Sequence, residues 1–267
     1  MFKRFLLLCS ALLLAIMLPL SAMGSEAGQN DLLATIKERG YITIATEGDW
    51  SPWTYINEQN DLVGFDVEVG TEIAAALGVE AKFVTTQWDS ILEGVNSGRF
   101  DLACNGVSYT EERAKVYDFS TPYAYTPCVL VIRSDNEAIK SFEDLEGKTT
   151  ANTISSIYAQ MAEEYGATVS GVDTLQDTIQ LVLQGRADAT INAEVSIQDY
   201  LSAHPDANIK IIAKNEGDTM VIPVRKSPET ASLLEAVNAA LEAMRENGRL
   251  AELSVKYFGA DLTQAPE

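Results

Sequence analysis

"GFDVEVGTEIAAALGVEAKFVTTQWDSILEGVNSGRFDLACNG" (Gly64–Gly106) changes its apolar period several times within one stretch. Val69, Ile73 and Leu77 recur at the spacing of one helix face, and Gly78 supplies a C-terminal stop. "VEAKFVTT" then reads as a strand, "WDSILEGVNSG" as a second helix and "RFDLACNG" as the next strand. "YITIAT" (Tyr41–Thr46), just upstream, is a further strand. The order is β-α-β-α-β, which predicts a parallel sheet with helices on its faces.

A second unit of the same kind begins near "FEDLEGKTTANT" (142–153). It continues as helix ("SSIYAQMAEEYG"), strand ("ATVSGV"), helix ("LQDTIQLVLQG") and strand ("ADATIN"). A helix ending near "SAHPDA", the strand "IKIIA" and the run "TMVIPVR" complete it. From Ser227 to Phe258 the chain reads as helix, with Leu233, Val237, Leu241 and Met244 as its buried stripe and "ENG" (246–248) as a break. No proline-rich or low-complexity linker separates the two units, so lobes joined by strands are expected.

The first residues read as a targeting segment: Lys3 and Arg4, an apolar run from Phe5 to Leu20, then small residues. Cleavage after Gly24 places Ala22 and Gly24 at the two small positions, and cleavage after Ala27 is the neighbouring alternative. The apolar run is shorter than the ~20 residues a spanning helix needs. Acids outnumber bases 39 to 19, and removing Lys3 and Arg4 with the leader moves the formal charge from -20 to -22. Such a surface repels phosphate backbones and anionic headgroups, which argues against nucleic-acid or membrane-surface binding. Cys104 and Cys128 remain in the mature chain; an oxidising compartment permits a bond, and a buried thiol is equally at home in either run. There is no CxxC, and His204 in "SAHPDA" reads as a solvated turn residue, so neither a metal nor a cofactor is expected.

In open parallel sheets, ligands bind where loops leave the carboxyl ends of strands. In the first unit those ends carry "EGDWSPW" (Glu47–Trp53), "QWD" (Gln87–Asp89) and "NGVSYTEER" (Asn105–Arg113). Thr110 is placed as an N-cap, so that a helix start and Arg113 together favour an anion, with Ser108 donating a further bond. The alternative is that Arg113 merely pairs with Glu111, Glu112 or Asp118 at the surface. Trp50 and Trp88 suit a flat or aliphatic group, or a cation, and Glu47 could pair an ammonium. From the residues alone, this is a place for a small zwitterion.

The chain also resembles the polar amino-acid-binding proteins of bacterial ABC importers, the solute-binding protein family 3. The resemblance rests on "LVGFDVEV", "WDSILEGVNSGRFDL", "YTEERAKVYDFSTPY", "FEDLEGK", "LVLQGRADATIN" and "EAVNAALEAMRENGRLAELSVKYFG", in that order from about Leu32 to the end. Among the members, "YTEERAKVYDFSTPY" and "SVKYFGADLT" are most similar to cystine-binding ones. It implies an α/β, two-lobe periplasmic binding protein fold of type II, with lobe 1 at 30–131 and 222–267 and lobe 2 at 132–221. "PCVLVIR" (127–133) and "TMVIPVR" (219–225) would be the hinge strands.

The implied roles follow the motifs. Arg113 would clamp the ligand's α-carboxylate with Ser108, the Gly106 carbonyl would take its ammonium, and Asn105 would stand beside them. Trp50 and Trp88 would line the side-chain pocket with Glu47 next to them, and Ser156 would reach across from lobe 2 near Tyr158. Two positions depart from the family. The ammonium-pairing aspartate falls at Ala193, between Asn192 and Glu194, and Ile157 stands where threonine or asparagine is usual. The pairing could thus fall to Glu194, or the ligand could lack a standard ammonium contact. The resemblance implies a monomeric, periplasmic receptor, not an enzyme, that carries a polar amino acid, cystine or a related compound, to an inner-membrane permease. Some relatives are exported dehydratases, for which Glu194 or Glu47 would be the proton donor, and a sensory ectodomain is a further alternative.

Overall fold

The computed structural model describes residues 31–266. The expected leader, Met1–Gly24, and both expected cleavage positions lie outside the described residues.

Two five-stranded sheets organise the chain. In the first, the strands Glu80–Thr85, Tyr41–Thr46 and Leu102–Ala103 run parallel, as the alternating pattern predicts. Pro223–Arg225 then joins antiparallel, followed at the edge by Tyr117–Phe119. In the second sheet, Thr168–Gly171, Thr149–Asn152 and Ala189–Ala193 are parallel. Cys128–Arg133 lies antiparallel between Ala189–Ala193 and Ile209–Lys214. Each parallel set points the carboxyl ends of its strands, and the loops that leave them, toward the same cavity.

Between the sheets the chain crosses twice, as a two-stranded antiparallel ribbon of Ala124–Thr126 with Asp218–Met220. This lies upstream of the expected first hinge: "PCVLVIR" is fully buried from Cys128 to Ile132 and forms a central strand of the second sheet. Five consecutive apolar or small side chains need cover on both faces, which a two-stranded ribbon does not provide. "TMVIPVR" divides in the same way, its first part in the ribbon and Pro223–Arg225 in the first sheet.

The helices bury the stripes their spacing predicts. Helix Phe65–Leu77 buries Val69, Ile73 and Leu77. It packs against helices Ala231–Glu246 and Arg249–Phe258, which bury Leu233, Val237, Leu241, Met244, Leu250 and Leu253. Each such side chain contributes on the order of 1.5–3 kcal/mol by leaving water, so a charge at Val237 would unseat the C-terminal helices from helix Phe65–Leu77. One helix expected from sequence is absent. Downstream of Thr110 there is a single 3-10 turn, Arg113–Lys115, because the edge strand already begins at Tyr117 and leaves no room for more.

Candidate functional site

The loops at the strand ends enclose a cavity with about 530 Å³ of empty space, its mouth included. This is within the usual range for small-molecule sites. From the first sheet's loops come Glu47, Trp50, Trp88, Gly106, Ser108 and Arg113, all expected from sequence. Ser156, Ile157 and Asn192, also expected, come from the second.

Arg113 is 9% exposed, and among the described residues no carboxylate lies within the 4.0 Å of an ion pair. Asp118, a candidate surface partner, instead faces Lys226 at 3.9 Å. The guanidinium donates only to carbonyls: Nη1 to Ser108 O at 3.0 Å and Nη2 to Ser155 O at 3.4 Å. Its Cζ lies 5.4 Å from the centre of the Trp88 ring, a distance that allows a cation–π contact. Burial pulls its pKa below the ordinary arginine value. A desolvated cation without a counter-charge is an incomplete arrangement, and a ligand carboxylate would complete it. The helix Ile157–Glu164 starts at the same cavity wall, and its N-terminal dipole favours the same sign of charge.

Trp50 stacks on the core indole of Trp53, with centroids 5.5 Å apart and planes 16° from parallel. Its Nε1 donates across the cavity to Asn192 Oδ1 at 3.1 Å. Gln87 Nε2 likewise donates to Asp173 Oδ2 at 3.1 Å, and the Ser155 hydroxyl donates to Asp89. The two sides of the cavity are therefore bonded to each other, which is a closed arrangement.

Three acids, Glu47, Asp49 and Asp173, also line the cavity. Burial pushes Glu47 up to about 8, although Asn105 Nδ2 donates to its Oε2 at 2.6 Å. Asp49 is also raised by burial, with Asp177 and Asp173 adding to it.

Two expected residues do not line the cavity. Asn105 is fully buried behind Glu47, accepting from Glu47 N at 2.7 Å and Thr46 Oγ1 at 3.1 Å, so it braces the acid from behind. Glu194, the expected heir of the ammonium contact, begins the helix Glu194–Ala203 and faces Lys214 at 3.7 Å and Gln198 at 3.1 Å. Alternation along the preceding strand brings Asn192 to the cavity, and the helix start turns Glu194 aside. Ser156 lines the wall, but its hydroxyl is engaged as an N-cap: it accepts from Ala159 N at 3.1 Å and donates to Thr153 O at 2.6 Å. Asp49, Thr153, Asp173 and Leu175 line the cavity without having been singled out. Thr153 and Asp173 follow the carboxyl ends of Thr149–Asn152 and Thr168–Gly171, so the strand-end rule, carried into the second unit, reaches them. Cys104 and Cys128 are both free and buried.

Residues 42–260 match the family of bacterial extracellular solute-binding proteins, family 3. The L-cystine-binding protein TcyA of Bacillus subtilis is 40% identical over 241 residues, 90% of this chain and 89% of that protein. The L-cystine-binding protein TcyJ of Escherichia coli K12 is 33% identical over 236 residues, 87% of this chain and 88% of its own. Among solved structures, an ancestral arginine-binding protein bound to arginine superposes with a TM-score of 0.77 at 34% identity, over 83% of this chain and 99% of that one. Holo ArgBP from T. maritima gives 0.74 at 32% identity, over 79% and 93%. These relatives are binding proteins and not enzymes, and the neighbouring structures share the two-lobe architecture. The chain belongs to the bacterial extracellular solute-binding proteins of family 3.

Proposed function

We propose that this chain captures an amino acid in its closed cavity and delivers it to the permease of an ABC importer in the inner membrane. The observation that carries the reading is Arg113, a buried cation with no carboxylate partner among the described residues, in a cavity also lined by the acids Glu47, Asp49 and Asp173. The ligand's α-carboxylate pairs with Arg113. Its ammonium meets the Gly106 carbonyl and Glu47, and its side chain lies against Trp50 and Trp88. With Glu194 turned away, Glu47 takes the role of the displaced family aspartate. L-Cystine is the first candidate ligand, because TcyA and TcyJ, both similar over most of their length, are named for it.

In this reading the lobes are 30–131 with 222–267, and 132–221, and they close about the ribbon Ala124–Thr126 and Asp218–Met220. The protein acts as a monomer in the periplasm after removal of its leader near Gly24 or Ala27. Thermal denaturation against a panel of amino acids tests it. A ligand at ~100 Kd stabilises by ~2.7 kcal/mol, and a panel with no shift at any amino acid rejects the proposal.

A further inference from the structure

Asp66 is 0% exposed, yet among the described residues no charged partner accounts for it. It sits in the first turn of helix Phe65–Leu77, where a carboxylate ordinarily caps its own helix, but it makes no cap bond there. Both of its oxygens face away from that helix. Oδ2 accepts the Gly106 N–H, and the Tyr123 hydroxyl bridges Oδ1 and Oδ2 at 2.9 and 3.1 Å. Tyr123 is itself 1% exposed and stacked on Phe65, with centroids 5.9 Å apart, so the bridge is fixed from the core side.

The bond falls on a backbone that needs holding. Gly106 has φ +51, and a Cβ there would lie 2.7 Å from the Trp50 ring. Only glycine allows the chain to pass so close beneath the indole. Among the described residues, no hydrogen-bond donor reaches the Gly106 carbonyl, although the residue lines the cavity. One end of this residue is therefore anchored in the core and the other is left for a ligand. Removing the anchor would leave Arg113 and the cavity walls in place but free the carbonyl to swing.

We propose that Asp66 is a positioning residue: held by Tyr123, it fixes Gly106 so that its carbonyl meets the ligand's ammonium. This rests on the amino-acid reading above and adds a residue that does not itself touch ligand. A purely structural role predicts that loss of Asp66 weakens every ligand equally. A positioning role predicts a loss confined to ligands that carry the ammonium.

The test compares L-cystine with 3,3'-dithiodipropionic acid, the same skeleton without its two ammonium groups, on the wild-type chain, Asp66→Asn and Tyr123→Phe. If the panel selects L-arginine, the pair is L-arginine and 5-guanidinopentanoic acid. At pH 8, above the raised pKa of about 7, Asp66→Asn replaces the carboxylate acceptor of Gly106 N–H with a weaker amide oxygen. It should weaken the amino acid by about five- to tenfold, and the desamino analogue by under about threefold on the same scale. Tyr123→Phe should show the same selectivity with a smaller loss, and stands in if Asp66→Asn does not fold. Amide exchange at Gly106 should quicken in Asp66→Asn while the ligand-free melting curve stays cooperative. Equal losses for both ligands, or an unchanged Gly106 exchange rate, would overturn the proposal. If Arg113→Ala binds as well as wild type, the amino-acid reading itself has failed, and that result is separable from the others.

Discussion

Glu47 gives the sharpest quantitative consequence of a zwitterion in this cavity. Burial in the closed cavity holds its carboxyl up to about 8, against an ordinary value of 4.5, so there it is largely protonated at pH 7 until an ammonium sits beside it. A ligand ammonium beside it favours the charged form and lowers its pKa. If the bound value falls below about 6, roughly 0.8 proton leaves per ligand at pH 7, and affinity rises about sixfold between pH 6.5 and 7.5. Isothermal titration in buffers of different ionisation enthalpy reads this number directly. Glu47→Gln should abolish the buffer dependence, whereas Asp49→Asn should leave most of it, because the ammonium is placed beside Glu47. A wild-type binding heat independent of buffer at pH 7 would refute the placement of the ammonium beside Glu47.

Other consequences are simpler. Arg113→Ala should leave the ligand-free melting temperature unchanged or raised, since it removes a desolvated charge without a partner, but should cost about 2–5 kcal/mol of binding. Titration calorimetry and thermal shift together check both halves. Trp50→Phe removes the bond from Nε1 to Asn192 and should cost about 0.5–1.5 kcal/mol, seen as faster ligand release in stopped-flow fluorescence or competition. Glu47 and Asp66, at about 8 and about 7, bind protons more tightly when folded than unfolded. Their contribution to stability is complete below their unfolded values and is lost as pH rises through 7 and 8. The ligand-free melting temperature should therefore rise as pH falls from 9 to 6, and less so in Asp66→Asn; Tyr123 and Cys104, the other titratable groups at Asp66, stay protonated across that window.

The legible part of this molecule was whatever period and strand order alone decide. The parallel strands Tyr41–Thr46, Glu80–Thr85 and Leu102–Ala103 carry their loops to one edge, which is why strand order alone groups Glu47, Trp50, Trp88 and Arg113. What escaped depends on which way a side chain turns. Ser156 was expected to offer its hydroxyl to the ligand, but an N-cap satisfies its own helix first. Glu194 sits two residues from Asn192 in sequence, yet the start of a helix turns it toward Lys214. Asp66 reads in sequence as an ordinary first-turn acid, because nothing local announces that its partners are 40 and 57 residues away. The helix expected after Thr110 shrank to one turn because the adjoining edge strand claims Tyr117 for pairing with Arg225. Periodicity has no term for that competition.

The most direct measurement compares the best-bound amino acid of the panel with its own α-carboxamide, which keeps the ammonium and side chain and removes only the anion. Seated on Arg113, the acid should bind at least about thirtyfold more tightly than the amide, and the gap should close in Arg113→Ala. Equal affinity for acid and amide in the wild-type protein would contradict the account.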